Sequence, residues 1–233
     1  MDYNKNQVLS GHVNEWMLSK LAAAWQSNNG LIADGKIGPK TIDALMRDKE
    51  YDHSELDCDP VMQAALKIAS KDVGKGEEGG NNSGPYVEAL LGKEWDGNND
   101  DDGAWCAAFV SHCIRVGAAS LGVAVPVKLS FGAKALFANF PEKDMRPQVG
   151  DVVCWDRGKL NADGTKSWMG HIGLVERVDG NMFFTIEGNV GAYPSKVRRF
   201  QYNLDNETRL EGFGRLASGS EDAPIKKRKK KSI

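Results

Sequence analysis

Cysteine is scarce in this sequence: four residues among 233, too few to staple a chain of this length into a disulfide scaffold. Long hydrophobic runs are missing as well. The longest, Ala104–Val110, has seven residues, against about 20 for a membrane-spanning helix. A strong charge of one sign is also lacking. The net charge is −2, and it is unevenly placed: residues 217–233 hold six Lys/Arg and two acids, a net of +4 that leaves −6 elsewhere. An acidic body argues against nucleic-acid binding by the folded part. Met1–Val8 is polar and holds no signal-peptide core. Synthesis in the cytoplasm is therefore expected, with delivery by other means if the target lies beyond the membrane.

What is present is ordinary for a globular chain: 41% hydrophobic and 27% charged residues. The length suits one medium domain with a small companion, and a core large enough to need no staples. Residues 12–28 place Val13, Trp16, Met17, Lys20, Leu21 and Ala24 at spacings of three and four, the pattern of an amphipathic helix. Asn28-Asn29-Gly30 stops it. Asp34-Gly35-Lys36-Ile37-Gly38 is turn chemistry, and Pro39 opens a second helix through Met46. Residues 1–50 thus form a small helical unit, and 51–59 a polar linker. Pro60 begins a helix with Met62, Ala65, Leu66 and Ala69 on one side. A Gly-, Asn- and Glu-rich loop over 74–84 and a short helix from Tyr86 to Leu91 follow. From about residue 150 the pattern turns to β, in Asp151–Trp155, Ile172–Val178 and Met182–Ile186. Helices first and a sheet afterwards predict an α+β domain over 60–216. Lys226–Lys231 is a charge block, expected to be a solvated, disordered tail.

The chemistry concentrates in three places. Cys106 stands at the head of the apolar stretch Ala104–Val110, where a helix N-terminus favours the thiolate. Alone, such a cysteine reads equally as a buried packing residue, as Cys113 and Cys154 do; Cys58 falls in the linker. Among the four histidines, His12 and His53 lie in polar surroundings. His112 falls about 240° around the helix from Cys106 and cannot face its thiol. His171, after Gly170 at the start of a strand, is left as the base. Glu187 and Asn189 end the next strand. A three-residue loop, Val178-Asp179-Gly180, pairs Arg177 with Asn181. That register sets His171 opposite Glu187, Ile172 opposite Ile186 and Leu174 opposite Phe184. One face then carries His171, Glu187 and Asn189, and the other is apolar and faces the core. A two-residue turn instead puts His171 and Glu187 on opposite faces. Given the first register, His171 deprotonates Cys106 and Glu187 or Asn189 holds the other ring nitrogen.

Five pieces in order, Glu78–Tyr86, Ala104–Val110, Gly150–Val153, Gly170–Gly173 and Glu187–Asn189, resemble the CHAP family, the cysteine, histidine-dependent amidohydrolases/peptidases with a papain-like core. The resemblance covers residues 60–216. It implies hydrolysis of an amide bond in bacterial peptidoglycan, with Cys106 as nucleophile, His171 as base, and Glu187 and Asn189 assisting. Some members bind calcium through an acidic loop before the cysteine. Asp96, Asn98, Asp100 and Asp102 alternate there, but no glutamate closes the loop, so a solvated loop is expected and no cofactor is required. Asp34–Thr41, between two helices, resembles the small helical peptidoglycan-binding domain. Trp105 and Trp168 are the aromatic candidates for substrate contact, and Trp155 reads equally as pocket or core. The resemblance implies a lytic enzyme of the endolysin or toxin-effector type, delivered by a holin or a secretion machine; a monomer is expected. An inactive wall-binding protein, and a cysteine amidase or peptidase on a soluble substrate, are the alternatives.

Overall fold

The computed structural model describes residues 14–28, 32–38, 40–42, 57–91 and 104–216. The chain divides into two compact units, Met1–Tyr51 and Asp52–Ile233. The loop carrying Asp96, Asn98, Asp100 and Asp102, His12, His53 and the basic tail lie outside the described residues.

In the first unit, helix α1 (Glu15–Asn28) buries a different side from the one its apolar spacing predicts. Trp16 and Leu21 are two-thirds exposed, while Ala22 and Gln26 are buried. The reason is polar. The Gln26 side-chain amide donates to Asp34 Oδ1, the Lys36 carbonyl and Thr41 Oγ1 at 2.8–2.9 Å, and its oxygen accepts from the Gly35 N–H. One glutamine thus satisfies the buried groups of the 34–36 turn, and the helix face that carries it must point inward. Residues 40–42 are helical; the remainder of the second expected helix is outside the described residues.

The second unit begins with helix α2 (Pro60–Asp72), capped by Asp59, whose Oδ1 accepts from the N–H groups of Val61 and Met62. It buries Met62, Ala65, Leu66 and Ala69, the predicted face. Helix α3 (Pro85–Leu91) is short. Helix α4 (Cys106–Ser120) is buried along most of its length, because it packs against α2 on one side and the sheet on the other. The apolar run of the sequence enters it at Cys106 and fills its first turn and a half to Val110. Helix α5 (Ala133–Ala138) adds one further turn.

Six antiparallel strands follow: β1 (Glu142–Asp144), β2 (Val152–Asp156), β3 (Gly170–Asp179), β4 (Met182–Val190), β5 (Lys196–Asn203) and β6 (Leu210–Arg215). Their order across the sheet is β1-β6-β2-β3-β4-β5. This is the α+β arrangement the sequence predicts. The sheet is apolar on both sides, however. Val152, Cys154, Ile172, Leu174 and Ile186 join the helices in the main core. Val153, Trp155, Val175, Phe183 and Phe213 form a second cluster, where a single core face was expected.

The β3–β4 register also differs from the expected one. The turn is two residues long, with Asp179 paired to Met182, Val178 to Phe183 and Arg177 to Phe184. That register alone separates His171 and Glu187 onto opposite faces. A β-bulge between Val175 and Arg177 then takes up one residue, so that Val175 pairs with Thr185 and Leu174 with Ile186. The extra residue restores the parity that the expected three-residue loop was meant to supply. Glu176, at the bulge, is held by Arg199 in a buried bidentate pair at 2.7 and 2.9 Å, and Arg199 continues to Ser70 Oγ on α2.

Candidate active site

Cys106 is the first residue of α4, after Trp105 at the N-cap, and no side chain caps that end. The first-turn N–H groups and the positive end of the helix dipole are therefore left near the thiol. His171 is the second residue of β3. Its Nε2 lies 2.7 Å from Glu187 Oε2. A carboxylate there assigns the proton to Nε2. Nδ1, buried and without a hydrogen-bond partner among the described residues, is the nitrogen left to face the Cys106 thiol, and each group shifts the other's titration. Trp155, paired with His171 across β2 and β3, stacks on the ring at 5.6 Å and fixes its plane.

Glu187 is fully buried. Its second oxygen accepts from Thr185 Oγ1, and its charge, after burial, raises the pKa of the neighbouring Tyr202 phenol. The carboxylate fits because Gly173 has no side chain: a Cβ there lies 2.5 Å from Glu187 Cγ. Gly188 serves the helix head in the same way, since its Cβ lies 2.5 Å from the Trp105 ring.

These contacts set the protonation states. Burial pushes the Cys106 thiol up, but the hydrogen bond and charge of His171, the charge of Arg157 and the Ile172 N–H together bring it below its ordinary pKa. Burial pushes the His171 ring down, and its bonds to Cys106 and Glu187 outweigh this and raise it. Both shifts run toward a thiolate–imidazolium pair. Burial raises the other thiols: Cys58 to about 11, Cys154 to about 12 and Cys113 well above its ordinary value. His112 lies beside Arg115, with ring Nδ1 3.3 Å from the guanidinium.

A cleft of about 730 Å³ opens over this pair. Asn189 lines it at φ +62° but makes no hydrogen bond to the ring among the described residues; Glu187 holds Nε2. Trp168, half exposed, also lines the cleft. Trp105 does not. Expected at the substrate, it is fully buried, packs edge-on against Tyr86 and donates its indole N–H to Glu77. Glu77 is a buried residue that sequence reading passed over. Its carboxylate accepts from Trp105, from the Asn82 N–H at 3.0 Å and from the Ser195 N–H at 2.6 Å. Trp155, Thr185 and Tyr202 were likewise not foreseen as supports of the ring and its carboxylate.

Residues 98–189 match the family model described as the CHAP domain. No curated protein sequence matches the chain. Among solved structures, the crystal structure of Ly7917 is similar at 18% identity, over 68% of this chain and 63% of that one, with a TM-score of 0.42. The crystal structure of Ly7917 with the hydrolyzing product of MDP is similar at 18% identity, over 66% and 62%, with a TM-score of 0.40. The chain therefore spans less than two thirds of the length of that protein. The family match encloses Cys106, His171, Glu187 and Asn189, and the α+β layers around them are of the papain-like type. Over residues 98–189 this chain is thus similar to the CHAP domain.

Proposed function

We propose that the protein is a peptidoglycan hydrolase that cuts an amide bond, in the stem peptide, its cross-link or the sugar–peptide junction, by cysteine nucleophilic catalysis. The observation that carries this reading is the buried Cys106–His171–Glu187 array, with a 2.7 Å bond behind the ring and an open cleft in front of it. The Cys106 thiolate attacks the amide carbonyl, and the negative oxygen that forms is met by N–H groups of the uncapped α4 terminus. The C–N bond then breaks as the His171 imidazolium gives its proton to the leaving amine. A thioester remains. His171 next takes a proton from water, the resulting hydroxide equivalent attacks the thioester, and the carboxylic product leaves as the thiolate–imidazolium pair is restored. Glu187 holds the ring throughout. Residues 1–50 serve as a wall-attachment unit, a role suited to the exposed Trp16, Leu21, Ile32 and Ile37. Delivery depends on a holin or a secretion machine.

Zymography on purified cell wall tests the proposal. Clearing by the wild type and none by Cys106→Ala is the expected result. Equal clearing by both proteins refutes it.

A further inference from the structure

The cleft is lined by as many carboxylates (Asp156, Glu187, Glu207) as fixed cations (Arg157, Lys159, Arg209), but the two sets are not equally engaged. Its carboxylates are already committed. Asp156 is held by Lys134 at 2.8 Å and by the Gly158 N–H, Glu187 by His171 and Thr185, and Glu207 by the Trp155 indole N–H at 2.8 Å. Arg157 and Arg209 line the same cleft, are exposed, and form no ion pair among the described residues. The backbone brings them together. The Asp156 N–H donates to the Arg209 carbonyl at 2.8 Å, and the Arg209 guanidinium lies over Gly158, where a Cβ falls 3.4 Å from Cζ. Two guanidinium groups without an ion-pair partner among the described residues therefore lie beside the 156–158 stretch of the cleft wall. Arginine in such a pair matches a carboxylate with parallel N–H···O bonds.

We infer that Arg157 and Arg209 form a carboxylate subsite that selects substrates carrying a free acid next to the scissile amide. The inference deepens the peptidoglycan reading and rests on it: wall peptides present several carboxylates, and the bond cut is the one that places an acid on this clamp. The two residues have unequal duties. The Arg157 charge also acts on the Cys106 thiol and favours its ionised form. Arg209 serves recognition.

Binding to the full-length Cys106→Ala form, which cannot turn over, tests this directly. The probes are muropeptides released from cell wall, and the same muropeptides after their carboxyl groups have been amidated by carbodiimide coupling. Free-acid muropeptides are expected to bind about tenfold or more tightly than the amidated ones, the scale of a charge-assisted bond. Arg209→Gln in the same background removes the difference, and Arg209→Lys retains part of it. Equal affinity for the two probes, or binding of neither at millimolar concentration, overturns the inference. So does an Arg209→Gln variant that weakens both equally. Cleavage by the otherwise wild-type chain separates the two readings. Discrimination in binding without any cleavage removes the hydrolase and leaves the subsite; cleavage without discrimination removes the subsite alone.

Discussion

Replacing Glu187 by glutamine keeps the volume behind His171 and a carbonyl to accept from Nε2, but it removes the charge. A hydrogen bond to a charged group contributes about 1.5–3 kcal/mol, and a neutral one about 0.5–1.5 kcal/mol. The difference, about 1–2 kcal/mol, is felt only when the ring is charged, so the imidazole pKa is expected to fall by about 1. The direction matters more than the size. In the wild type, burial works against the imidazolium, while the Cys106 and Glu187 bonds raise the ring pKa to about 10. The reactive state opens where Cys106 ionises, below its ordinary pKa, and closes where the ring loses its proton and can no longer serve the leaving amine. Glu187→Gln weakens the imidazolium and hence its hold on the thiolate. The acid limb therefore moves to higher pH, the alkaline limb to lower pH, and the window narrows from both sides. Alkylation of Cys106 by iodoacetamide reads the acid limb. The other thiols, raised by burial to about 11 for Cys58 and about 12 for Cys154, stay silent near neutrality. Wall hydrolysis against pH reads the alkaline limb. A Glu187→Gln profile superimposable on the wild type, or one that widens, refutes the assignment of Glu187 to the ring.

Gly188→Ala drives a methyl group into the Trp105 ring and against Phe109; a loss of about 1–3 kcal/mol in urea unfolding, with reduced turnover from a displaced helix head, is expected. Glu176→Ala strands the Arg199 guanidinium, which is almost wholly buried; the unfolding free energy should fall by about 3–5 kcal/mol, read from the urea midpoint. Trp168→Ala removes an exposed wall of the cleft; steady-state kinetics should show a raised KM with kcat little changed, and thermal unfolding should be unaffected.

The elements legible in the sequence were those whose pattern is long or punctuated. Helix α2 announces itself through Asp59, Pro60 and a clean apolar face, and α4 through its dense apolar opening. The final strands did not: β5 sets Arg198 and Arg199 side by side, and Arg199 is buried against Glu176, while β6 contains two glycines. Helix α5, at six residues, is too short to show a period. In α1 the apolar spacing pointed to the wrong side, because the inward position is dictated by the four hydrogen bonds of Gln26, a demand no hydropathy pattern records. The array of thiol, imidazole and carboxylate was visible as residue types in order. The route by which the strands bring it together was not. A two-residue turn plus a bulge has the same parity as a three-residue loop without one, and sequence alone does not distinguish them. Trp105 and Trp168 are equally large and equally near the motifs; only tertiary packing hides one and bares the other.

The Glu77 carboxylate has a practical consequence for anyone wishing to redirect selectivity by loop exchange. The 78–84 segment borders the cleft through Asn82, yet its conformation, the seating of the Cys106 helix and the entry to β5 all hang on the same two oxygens. A transplant whose boundary falls after residue 77 leaves that hub intact and changes only the rim. One that starts a single residue earlier, and brings a shorter side chain with it, unhooks three distant stretches of chain at once.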